Sequence, residues 1–119
     1  MRAKIIPYQI YPFDVIVSYQ TLEGIKKTLR GLLPDDIHDE LDELDHCTDA
    51  RTIMFSGGQT VIWFNKDPSY GLISHEVFHA VTYLMDRIGV TLSPSSDEAY
   101  AYAVQYLTNE IYSFITPKK

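Results

Sequence analysis

RTIMFSGGQTVIWFN, residues 51–65, is the stretch on which the fold turns. Two runs rich in β-branched and aromatic residues flank Ser56, Gly57, Gly58 and Gln59, and the glycines allow the positive φ of a tight turn, so the stretch predicts a β-hairpin. Toward the C-terminus, Asp67 and Pro68 offer an N-cap and a first helical position for a helix through about Ile88, which Gly89 terminates. SPSSDEAYAYAVQYLTNEIYSFI (93–115) opens on another cap and runs as a last helix up to Pro117. Toward the N-terminus, FDVIVSY (13–19) alternates, with Phe13, Val15, Val17 and Tyr19 on one side, and reads as a strand. Thr21 caps a helix in TLEGIKKTLRGLL, where Leu22, Ile25, Leu29 and Leu32 repeat at helical spacing until Pro34 stops it. DDIHDELDELDH (35–46) is acidic with Ile37, Leu41 and Leu44 one turn apart, which predicts a short surface helix. The expected fold class is therefore α+β: a small antiparallel-containing sheet, N-terminal strand plus hairpin, packed on two long antiparallel helices in one domain spanning 1–119.

The chain of 119 residues is long enough to bury most of its unfolded surface without a disulfide or a metal. Its single cysteine, Cys47, has no internal partner, and no C-x-x-C pair is present, which fits a reducing compartment. In MRAKIIPYQI, Pro7, Tyr8 and Gln9 interrupt the apolar run before it reaches signal-peptide length. No stretch approaches the roughly 20 apolar residues of a membrane helix, so the expectation is a cytoplasmic protein without a membrane partner. A net charge of -6, with Lys26 and Lys27 as the longest basic cluster, argues against nucleic acid as a partner.

Within the predicted long helix stands HEVFHA, His75 to Ala80. Positions i and i+4 share a helix face, so His75 and His79 can direct both imidazoles at one ion. Glu76, one step round, would sit beside that ion, where a carboxylate can take a proton from a water molecule. With four histidines in 119 residues, coincidence explains this spacing poorly. The bland reading is two ordinary surface histidines and an ion-paired glutamate. A catalytic zinc needs a third protein ligand: His38, His46, an aspartate or Glu98. His38 and His46 lie in the acidic segment, whereas Glu98 opens the helix that folds back against the first. Ser95 and Glu98 also have the spacing of a capping box, which needs no metal.

His75, Glu76 and His79, followed after eighteen residues by Glu98, form the pattern HExxH-x18-E, which resembles the gluzincin metallopeptidases and looks most like their short, single-domain members of phages and mobile elements. The similarity covers about half of the chain. It implies a minimal gluzincin (zincin) core, a Zn2+ cofactor held by His75, His79 and Glu98, and Glu76 as general base. It also implies a peptide or protein substrate bound by β-augmentation on an edge strand, the part of VIWFN (61–65) or TIMF (52–55). Where such enzymes carry a carboxylate one turn after the ligand glutamate, this chain has Tyr102, so Asp97, Asp14 or a backbone carbonyl would orient His75.

Tyr102 is the first choice for a donor to the developing oxyanion, with Tyr83, one turn after His79, as the alternative. Phe78, Val81, Leu84, Met85, Val104, Leu107 and Ile111 are assigned to packing. The far wall that larger gluzincins build from a helical domain would come here from a homo-oligomer or a partner protein. A different class of function, a non-catalytic interaction or regulatory module on the same scaffold, predicts a fourth protein ligand such as His46 or Cys47.

Overall fold

Thr60 to Phe64 is buried along its whole length, because it is an inner strand of a four-stranded sheet with apolar clusters on both faces. The computed structural model describes residues 3–8, 13–45 and 49–115. The chain runs β1 (Ala3–Tyr8), β2 (Phe13–Tyr19), α1 (Leu22–Leu32), a 3-10 turn (Asp35–Ile37), α2 (His38–Asp42), β3 (Ala50–Met54), β4 (Thr60–Phe64), α3 (Tyr70–Arg87) and α4 (Asp97–Ile115). The fold is α+β, with the mixed sheet ordered β1-β2-β4-β3. No helix among the described residues is long and apolar enough to cross a membrane.

The sheet adds two features to the expected strand and hairpin. β1 adds a fourth strand, antiparallel to β2, and β2 runs parallel to β4 with Val15 opposite Thr60. Pro7 obscures β1 in the sequence, yet an edge strand tolerates a residue without an N–H. The parallel pairing follows from the long connection through α1, α2 and β3, which carries the chain back before β4 begins.

Alternation divides the core into two layers. Val15 and Val17 join Ile62 and Phe64 against α3 and α4, where Val77, Val81, Leu84, Met85, Leu107 and Ile111 are buried. Ile16, Val61 and Trp63 point to the other face and pack with Ile25, Leu29 and Leu41 of α1 and α2. The Trp63 indole donates to the carbonyl of Gln20 at 2.8 Å, which satisfies its one polar atom inside that layer. A strand covered on both faces reads as a continuous apolar run, as TVIWF does.

Local chemistry sets the element ends. Thr21 caps α1 as expected, its hydroxyl accepting from the Gly24 N–H at 3.1 Å. The acidic stretch is split: a 3-10 turn precedes a helix of only five residues, held down by buried Ile37 and Leu41. The hairpin turn carries Gly58 at φ 91°, with the Arg87 guanidinium packed where a Cβ would stand. α3 begins later than Asp67 and Pro68 suggest, because the extended Ser69 is the N-cap and its hydroxyl accepts from the Leu72 N–H at 3.1 Å. Gly89, at φ 76°, ends α3 as expected. The two long helices are antiparallel: Tyr70 at the start of α3 bonds Tyr112 near the end of α4 at 2.7 Å, and the Tyr100 hydroxyl donates to the Val90 carbonyl at 2.8 Å.

Candidate metal centre and cleft

α3 is the second element after the edge strand, and its sequence puts the apolar residues Ile73, Val77, Ala80 and Leu84 on the buried side. That phase forces His75 and His79 outward while Glu76 turns in toward β3. The Nε2 atoms of His75 and His79 lie 3.2 Å apart, with the rings edge to face at 77°. Two zinc–nitrogen bonds at a tetrahedral angle place their nitrogens about 3.3 Å apart, so the pair fits two ligands of one zinc. The same separation is that of a hydrogen bond between the two rings.

Glu76 is only 5% exposed. Its Oε1 accepts from the Thr52 hydroxyl at 2.8 Å, and the same hydroxyl lies 3.0 Å from the Glu76 carbonyl. Oε2 lies 3.9 Å from His75 Nε2. The carboxylate therefore has one oxygen tied to the sheet and the other toward His75. Beside it opens a cavity of about 610 Å3, walled by Asp49, Lys66, Asp67, Leu72, His75 and Glu76. Lys66 Nζ and Asp49 Oδ1 pair at 2.9 Å across its rim.

β3, which contains most of TIMF, is the edge strand on this side, and VIWF is interior. The Phe55 N–H bonds the Gln59 carbonyl and the Asn65 N–H bonds the Asp49 carbonyl, so odd-numbered residues of β3 turn their backbone groups toward β4. By antiparallel alternation, Ala50, Thr52 and Met54 turn theirs outward, along an edge that no other strand among the described residues pairs with.

The remaining expected residues are placed as follows. Glu98 is exposed in the first turn of α4, and among the described residues no group of three His, Cys, Asp or Glu side chains is gathered to hold a metal. The Ser95 hydroxyl bonds the Ser93 hydroxyl at 2.9 Å. Tyr83 stacks on His79 with centroids 6.5 Å apart, whereas Tyr102 is 51% exposed on α4. Phe78, assigned to packing, is instead 47% exposed on α3 between the two histidines, because residue 78 falls on the solvent side of the helical phase that buries Val77 and Val81. Asp14 shares the sheet face of Ile16, covered by α1, and so cannot orient His75 on α3. Asp97 is exposed at the start of α4, and His38 Nε2 is 3.0 Å from the Leu33 carbonyl, a local structural contact. His46 and Cys47 lie outside the described residues. Thr52 escaped the sequence reading; its one signal is a hydroxyl among apolar residues of a predicted strand. Comparison with protein-family models, with curated proteins and with solved structures gives no match to this chain.

Proposed function

We propose that the protein is a zinc-dependent metallopeptidase of gluzincin type, acting on an extended peptide. The observation that carries this reading is the 3.2 Å separation of His75 and His79 Nε2 beside a buried Glu76 whose Oε2 lies 3.9 Å from His75 Nε2. His75 and His79 hold the metal, and Glu98 is proposed as the third ligand. Zinc bound there supplies Lewis acidity toward a carbonyl and lowers the pKa of water. Glu76 takes the proton of the attacking water on Oε2 and returns it to the leaving amine. The open edge of β3 supports binding of the substrate backbone as an added strand. Tyr102, or Tyr83 where it stacks on His79, donates to the developing oxyanion. A homo-oligomer or a partner protein supplies the far wall of the cleft.

The test is cleavage of an internally quenched peptide mixture by the zinc-loaded protein beside Glu76→Gln. Loss of cleavage in the variant, with zinc retained, is the result this reading predicts; equal cleavage by both proteins excludes it.

One observation favours a second reading, a non-catalytic interaction module on the same scaffold: the half-exposed Phe78 between the histidines offers an apolar anchor to a protein partner. A zinc-loaded protein that cleaves nothing in the mixture supports this reading over the first.

A further inference from the structure

Thr52 stands where the open strand edge meets the carboxylate of Glu76. Its Oγ1 lies 2.8 Å from Oε1 and 3.0 Å from the carbonyl oxygen of the same residue, 24 positions away in sequence. One hydroxyl has one proton, and Oε1 is the nearer of the two acceptors, so the donation goes chiefly to Oε1. A threonine on a strand has a stiff χ1, so the donor has a fixed direction. A glutamate has three rotatable bonds, and the bond from Thr52 to Oε1 selects an orientation that leaves Oε2 3.9 Å from His75 Nε2.

We propose that Thr52 is a positioning residue, which locks the Glu76 carboxylate with Oε1 anchored and Oε2 presented to His75. The assignment rests on the peptidase reading above. It also explains why a hydroxyl residue occupies this place: the N–H and C=O of Thr52 face outward along β3 while its side chain faces α3. One residue thereby couples the register of a strand bound at the edge to the orientation of the group that moves the proton. A catalytic group held in its working rotamer avoids reorganisation during the reaction.

The experiment compares Thr52→Val, which keeps the shape and removes the donor, with Thr52→Ser, which keeps the donor. For a peptide cleaved from the quenched mixture, Thr52→Val lowers kcat by about tenfold to a hundredfold, with KM within about twofold and zinc content unchanged. Thr52→Ser recovers turnover to within about threefold of the parent chain. In urea unfolding of the metal-free chain, Thr52→Val and Glu76→Gln shift the midpoint non-additively. Unchanged kcat in Thr52→Val, an equal loss in Thr52→Ser, or additive midpoints would overturn the assignment while leaving the peptidase reading intact. A zinc-loaded parent chain that cleaves no peptide in the mixture overturns both.

Discussion

His75 and His79 present their Nε2 atoms to each other at 3.2 Å across one turn of α3, while Glu76 between them is buried against β3. This arrangement is a product of helical phase. The apolar side of α3 must face the sheet, and the same rotation that buries Val77 and Ala80 brings Glu76 against Thr52 and leaves both imidazoles in solvent.

Glu98→Ala separates a ligand role from a role at the helix start. As the third ligand, its loss lowers zinc affinity by more than about tenfold. The metal-free chain loses at most about 1 kcal/mol, the scale of an acidic residue in a first helical turn. Zinc titration and urea unfolding of the same samples check both figures, and unaltered zinc affinity would move the third ligand elsewhere.

Gly58→Ala destabilises the hairpin by about 1–3 kcal/mol, since an alanine resists φ 91°. The Arg87 guanidinium is displaced as well, although as the tip of a flexible side chain it adds less. Gly31→Ala has the opposite sign: a Cβ there meets nothing within 4 Å, so the better helix former stabilises α1 by about 0.5–1 kcal/mol. Urea denaturation of the two variants measures the contrast.

Trp63→Ala costs about 3–5 kcal/mol, because the indole is wholly buried beneath α1 and its removal leaves a cavity. Against the 5–15 kcal/mol typical of a whole domain, that loss is large. The check is the midpoint of chemical unfolding followed by circular dichroism, since the variant lacks the only tryptophan.

Ser56 lends the turn a pH dependence. Its hydroxyl and its N–H both donate to Glu40, and these bonds, the side-chain one foremost, hold the Glu40 carboxyl below its usual range. A carboxylate depressed in the folded state contributes stability above its unfolded pKa and loses it as pH falls through the folded value. Ser56→Ala is therefore less stable than the parent near neutral pH, and the difference closes as the solution is acidified through the carboxylate range. Thermal unfolding of both proteins along a pH series measures it.

Elements whose signals are local were legible in the sequence. The hairpin declares itself through Gly57 and Gly58, α1 through Thr21, and the end of α3 through Gly89. The histidine pair needs only the pitch of one helix. What was hidden depends on contacts far apart in the chain. β1 carries Pro7, and only its place at the sheet edge makes that residue tolerable. Asp67 and Ser69 are both competent caps, and the competition is decided by which hydroxyl or carboxylate meets a free N–H once α3 has docked. Thr52 and Glu76 meet across 24 residues, a distance over which no periodicity speaks. Phe78 was misassigned because its apolar character says nothing of helical phase, which here favours Val77 and Val81 for the core.

Whether His75 and His79 form a zinc centre is decided by equilibrium zinc titration of the purified protein beside His75→Ala and His79→Ala. The expected result is one zinc per chain in the parent, with binding lost or weakened at least tenfold in each variant. A parent chain that binds no zinc, or variants that bind it as tightly as the parent, would leave the pair as two hydrogen-bonded surface histidines.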